Sequence, residues 1–304
     1  MNQIHRFEQS SPLPRSEVVY AGFFGLRERP FNLQPDGRFM FWSPGHRTAF
    51  SMLEYSFSTF APITVITGEV GAGKTTLIQH LIDLAPRKVR IGLISHTFGE
   101  QHSILRWILH ALRAGPEGRV SELRRLDAFA SLLKSEAEAG RHTLLIFDEA
   151  QNLSHRMLEQ IRCLSNLNVA GEELLQVVLV GQPDLAPAIN HDRMPQLAQR
   201  ISVQFHLGGM SQESVESYVA HRMNVAGATR SIFSPAACAL IHRESRGLPR
   251  LVNQLCEHAL LCAYADGAAE IGPQLIETVV QARAQASAVD SAENGARRRR
   301  LRMI

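Results

Sequence analysis

The chain has 304 residues, of which 45% are apolar and 20% charged. At roughly 150 residues per domain that is about two domains, each able to bury a core. The net charge of +3 lies wholly beyond Val289, where five arginines (Arg297, Arg298, Arg299, Arg300, Arg302) outnumber two acids (Asp290, Glu293), so the neutral remainder excludes a protein coated in positive charge.

Residues 1–19 hold two prolines, three serines and no periodicity, and read as a flexible arm. The first thirty residues have no signal-peptide core. From 20 to 207, short apolar runs alternate with stretches of helical period. Strands are expected at Ile63–Thr67, Val89–Ser95, Leu144–Phe147, Leu175–Val180 and Ile201–Leu207. The middle ones are near-continuous apolar runs, as in parallel strands covered on both faces. Between them lie the apolar stripes Leu77, Ile78, Leu81, Ile82, then Ile104, Leu105, Ile108, Leu109, Leu112, then Leu158, Ile161, Leu164. Such alternation predicts an α/β core with a five-stranded parallel sheet flanked by helices.

After Gly208-Gly209 the strands stop. Ser211 and Ser234-Pro235 read as helix starts, and Pro249–Ala265 and Pro273–Ala284 complete a small all-α domain at 208–284. Residues 285–304 turn small and polar and then basic, and read as a disordered tail. The longest unbroken apolar run is the seven of Ala259–Ala265, against about 20 for a membrane span. The four cysteines show neither CxxC nor Cys/His ligand spacing and read as reduced thiols. The chain is therefore expected to be cytoplasmic.

Two motifs carry the chemistry. Gly68, Glu69, Val70, Gly71, Ala72, Gly73, Lys74 and Thr75 spell G-x-x-x-x-G-K-[ST], followed by Thr76, with a strand before and a helix after. Glycines let backbone N–H groups turn inward around a polyphosphate. Lys74 adds a point charge, Thr75 a hydroxyl for Mg²⁺, and the helix its positive end. The bland alternative is a glycine-rich turn with a lysine cap; the flanking elements favour the phosphate reading. One crossover on, Leu144-Leu-Ile-Phe ends in Asp148 and Glu149, at the strand end where open parallel sheets place ligands. Asp148 is expected to hold Mg²⁺ opposite Thr75. Glu149 can take a proton from an attacking water, which points to hydrolysis of ATP rather than transfer to a substrate hydroxyl.

Phe23-Phe24-Gly25-Leu26, Pro30-Phe31, Pro35-Asp36, Ser43-Pro44-x-His46, GEVGAGKTT, IFDEAQN, VGQPDL and RGLPR together resemble the AAA+ ATPases of the general secretion pathway protein A type. That group includes ATPases of exosortase and exopolysaccharide loci and is related to the target-selection ATPases of transposons. The resemblance covers about residues 20–283 and implies an AAA+ nucleotide-binding core over 20–207 with the helical lid behind it. It implies that Gln182 is sensor 1, reading the terminal phosphate or the water, and that Arg250 is sensor 2. It places an arginine finger, acting in a neighbouring subunit of a homo-oligomer, at Arg200, with Arg193 as the rival. Pro30 and Phe31 would help cradle adenine. At His96 the family commonly carries an asparagine that restrains the catalytic glutamate.

The resemblance implies an ATPase driving assembly changes in envelope export machinery, for secretion or exopolysaccharide export. Secretion members usually continue into a membrane span and a cell-wall-binding domain, neither of which this sequence contains, and that favours the shorter polysaccharide-locus type. The alternative is a DNA-binding ATPase of transposition target selection, working with a transposase on duplex DNA; the arginine tail fits phosphate contacts.

Overall fold

The structure, a computed structural model, describes residues 19–33, 36–86, 88–95, 103–116, 118, 120–169, 172–190 and 194–285. The expectations for residues 1–18, His96, Arg193 and the tail beyond 285 lie outside the described residues. The chain divides into two compact units, one of residues 42–209 and one combining residues up to 41 with those from 210.

The first unit is the α/β core. Helix α1 (Pro44–Ser58) opens on Ser43, whose hydroxyl accepts the His46 amide, with Pro44 in the first turn. Then follow β1 (Ile63–Gly68), α2 (Lys74–Leu84), β2 (Val89–Ile94), α3 (Ile104–Ala111), α4 (Glu122–Glu138), β3 (His142–Phe147), α5 (His155–Leu164), β4 (Leu175–Gly181) and β5 (Ile201–Leu207). Serines 103, 121 and 154 cap α3, α4 and α5 through their hydroxyls. The five strands form one parallel sheet in the order β2-β3-β4-β1-β5, the architecture expected.

Burial explains the reading of the strands. Every residue of β1 and of β4 is buried, because both strands are central and covered on both faces. Edge strand β5 alternates instead, its Ser202, Gln204 and His206 exposed. The registers Thr67↔Gly181 and Phe147↔Leu179 make β1, β4 and β3 finish at one rim of the sheet. One local element had no expectation, the antiparallel pair Asn168–Val169 with Glu172–Glu173.

The second unit is helical: α6 (Gln212–Val225), α7 (Pro235–Ser245), α8 (Pro249–Ala265) and α9 (273–285). Here the expected division of the chain needs correcting. Residues 20–41, assigned by the sequence reading to the α/β core, belong with these helices. Tyr20, Phe24, Leu26, Phe31 and Phe39 are buried in one core with Val215, Val219, Met223, Ile241, Leu255 and Leu260. Buried Arg222 of α6 donates from Nε to the Pro30 carbonyl (2.6 Å) and from Nη2 to that of Asn32 (3.2 Å), and its guanidinium lies 4.8 Å from the Phe39 ring centre. The Tyr20 hydroxyl donates to Glu257 (2.9 Å), which also pairs with Arg29 (2.7 Å). The segment has too little regular structure to bury its own aromatics, so it takes its core and its carbonyl partners from helices far along the chain.

Among the described residues, no helix is long and apolar enough to cross a membrane.

Candidate functional site

β1 runs into the glycine-rich loop and α2 leaves it at Lys74. Gly71 and Gly73 both adopt positive φ, 83° and 98°. At Gly73 the requirement is double: a Cβ there would lie 2.6 Å from Nε2 of His46, so the loop approaches α1 more closely than a side chain permits. His46 is itself buried. Its Nε2 lies 3.0 Å from the Ala72 carbonyl and its Nδ1 2.7 Å from the Ser43 hydroxyl. A carbonyl can only accept, so Nε2 holds the proton and Nδ1 accepts from Ser43. Burial depresses the His46 pKa, against the opposing pull of the Ala72 carbonyl.

Lys74 is a buried cation in the first turn of α2. Its Nζ donates to the carbonyls of Gly68 (2.7 Å) and Glu69 (3.0 Å). Burial lowers its pKa, and the negative charges of Glu149, Asp148 and Glu69 oppose that shift.

The acids stand at the end of β3, half-buried. Oδ2 of Asp148 accepts from the Thr75 hydroxyl at 3.0 Å, and Oδ1 from the Glu149 amide at 3.0 Å. Glu149 sits at φ 56°, a left-handed conformation costly for a residue with a Cβ. Oε2 of Glu149 accepts from Nε2 of Gln151 (2.5 Å) and from Nε2 of Gln182 (3.4 Å), and the Gln182 amide donates to Oε1 of Gln151 (3.0 Å). Gln182 follows β4, the strand between β1 and β3.

Lys74, Thr75, Asp148, Glu149 and Gln182 thus converge at one rim. Glu69 and Val70 are exposed and Thr76 half-buried in the first turn of α2. Arg200, half-buried, donates to the Ser165 carbonyl at 3.1 Å. Arg250 is exposed in the first turn of α8. Pro30 and Phe31 belong to the helical unit, where Phe31 packs edge-on against Phe233 at 5.9 Å.

Sequence reasoning missed two residues, His46 and Gln151. The serine three positions before His46 was the available signal, since that spacing seats a cap against the first turn. Gln151 had only its place two residues after Glu149, and its contact depends on the turn Ala150–Asn152.

The donor set fits magnesium and a polyphosphate. A hydroxyl and a carboxylate are hard oxygen ligands, and magnesium usually keeps only one or two protein ligands, taking the rest from phosphate and water. Among the described residues no group of three or more His, Cys, Asp or Glu is arranged to hold a metal by itself. The first N–H groups of α2 have no partner within the helix, which suits an anion.

Residues 60–189 match the family model described as AAA domain. The chain is 37% identical over 254 residues to general secretion pathway protein A of Aeromonas hydrophila; the match covers 83% of this chain and 46% of that protein, so the chain spans about half the length of the curated relative. Among solved structures, Cdc6p from Pyrobaculum aerophilum superposes with a TM-score of 0.64 at 18% identity, covering 82% of this chain and 69% of that one. Drosophila ORC, solved bound to DNA, gives 0.62 at 14% identity, covering 92% and 70%. At these identities the structural likeness speaks to the fold.

Proposed function

We propose, from the AAA domain matched over residues 60–189 and the likeness to general secretion pathway protein A, that the chain binds ATP with magnesium and hydrolyses it to drive assembly changes in a partner complex. The observation that supports this best is the 3.0 Å approach of the Thr75 hydroxyl to the Asp148 carboxylate, with the Lys74 ammonium beside them. Two segments far apart in sequence bring a hydroxyl, a carboxylate and a cation to one rim of a buried sheet.

Residues 68–76 turn backbone amides toward the triphosphate. Lys74 exchanges its two loop carbonyls for phosphate oxygens, a like-for-like replacement of acceptors that leaves no buried charge unpaired. Thr75 and Asp148 hold the magnesium ion, which when bound neutralises charge building on the phosphate oxygens. Glu149 accepts the proton of the attacking water at its carboxylate. Gln182 reads the terminal phosphate or that water. Arg250 serves as the nucleotide-reading arginine of the helical unit, and Arg200, once released from Ser165, as the finger offered to a neighbouring copy in a homo-oligomer. The partner follows the relative's name and lies in secretion or the related export of exopolysaccharide.

Phosphate release by the full chain, with Mg²⁺ and ATP, with and without duplex DNA, tests this reading. Magnesium-dependent release that DNA leaves unchanged supports it. Stimulation by DNA, removed by salt, would move the partner to nucleic acid and the transposition-type alternative. No release under any of these conditions would end the hydrolysis proposal.

A further inference from the structure

Glu149, Gln151 and Gln182 form a closed hydrogen-bonded ring. Gln151 donates to the Glu149 carboxylate at 2.5 Å and accepts the Gln182 backbone amide at 3.0 Å, while the Gln182 side chain reaches the same carboxylate oxygen at 3.4 Å. The short turn Ala150–Asn152 folds Gln151 back over the end of β4. Gly181 leaves room for it there: a Cβ at Gly181 would meet Oε1 of Gln151 at 2.9 Å and the Gln151 backbone nitrogen at 3.2 Å. Gln151 thus uses both ends of its side-chain amide within the ring, donating from its N–H₂ to Glu149 and accepting at its oxygen from the Gln182 backbone.

We propose that Gln151 is a positioning residue which fixes the carboxylate of Glu149 for attack and couples it to Gln182, so that a shift of Gln182 toward a bound terminal phosphate moves the base with it. The assignment rests on the ATP-hydrolysis reading above. The physical argument is one of constraint. Glu149 occupies a left-handed backbone conformation, and a long side chain there keeps its rotamer only if something holds its end. Both groups known to hold it act on one oxygen, Oε2, and one of them is itself anchored by the other strand end. A carboxylate displaced by about 1 Å loses on the order of 100-fold in an oriented reaction.

Two isosteric variants separate the two grips. Gln151→Glu keeps an oxygen for the Gln182 amide and loses the donor to Glu149; Gln151→Met loses both. In the full chain, both should lower kcat for ATP by roughly 10- to 100-fold while affinity for Mg-ATP stays within about twofold. In the nucleotide-free protein, amide hydrogen exchange gives the second readout. Exchange at Gln182 should accelerate in Gln151→Met and stay protected in Gln151→Glu, a split that a merely structural role would not produce. Gln151→Glu turning over at the parent rate overturns the hold on Glu149. Unchanged Gln182 exchange in Gln151→Met overturns the coupling. A parent chain that releases no phosphate overturns the hydrolysis reading and this assignment with it, whereas an active parent with fully active variants overturns this assignment alone.

Discussion

His46 and Ala72, separated by 26 positions, are joined by a 3.0 Å hydrogen bond from the buried imidazole Nε2 to the loop carbonyl. The glycine-rich loop therefore rests on the first turn of α1 as well as on its own helix. Removing the imidazole should loosen the loop without unfolding the sheet. We expect His46→Ala to weaken Mg-ATP binding about tenfold, the worth of one lost hydrogen bond near 1.4 kcal/mol. His46→Gln, whose amide can still donate, should recover part of that. Titration with a fluorescent ATP analogue measures both, and unchanged affinity in His46→Ala would show that the contact does not shape the loop.

The same histidine sets a pH dependence of stability. Burial lowers its folded pKa below the ordinary 6.5, so the unfolded chain takes up the proton first as pH falls. Its contribution is full above pH 6.5 and is lost as pH drops through the unfolded and then the folded value. Urea midpoints measured at pH 8 and pH 5 should therefore fall further in the parent than in His46→Gln; equal falls would assign the acid sensitivity elsewhere.

Lys74 gives the most direct test of nucleotide binding. Its ammonium donates to two loop carbonyls that a phosphate would replace as acceptors. Lys74→Ala should cost roughly 100-fold in ATP affinity, about 2.7 kcal/mol for charge-assisted bonds, with little loss of fold, since removing a buried cation relieves as much desolvation as it gives up in pairing. Calorimetric titration that finds parent affinity in this variant would remove the loop from nucleotide binding.

Glu149→Gln separates binding from turnover. The amide keeps the shape and loses the base, so turnover should fall by roughly 10²- to 10⁴-fold while ATP still binds, and the ATP-bound oligomer should persist in sedimentation. Phosphate release equal to the parent's would take Glu149 out of the chemistry.

In the helical unit, Arg222→Met keeps most of the packing volume and removes the donor to the carbonyls of Pro30 and Asn32. We expect a loss of about 3 kcal/mol in unfolding free energy and early proteolysis within residues 20–41. A variant as stable as the parent, with that segment still protected, would mean the aromatic side chains alone hold it.

What was legible in the sequence follows from what the physics constrains locally. A strand covered on both faces is mostly apolar, so β3 and β4 stood out as near-continuous apolar runs, β4 interrupted by the buried Gln176. A phosphate cradle demands glycines at positive φ and a following helix, and Gly71, Gly73 and Lys74 announce themselves by spacing. Strand-end acids at Asp148 and Glu149 need only their neighbours to be read. The rest depends on partners distant in sequence. The imidazole of His46 matters because of a carbonyl on another element, and Gln151 because a three-residue turn aims it at Glu149. Residues 20–41 have no period at all, and their allegiance is decided by Arg222, Glu257 and a core assembled from α6, α7 and α8.

That allegiance changes how the polypeptide is threaded. With described residues of 20–41 and of 210–285 sharing one hydrophobic interior, the α/β core is an insertion spliced into the helical unit. The helical unit is therefore discontinuous in sequence, and its interior closes only once residues on both sides of the α/β core have been made.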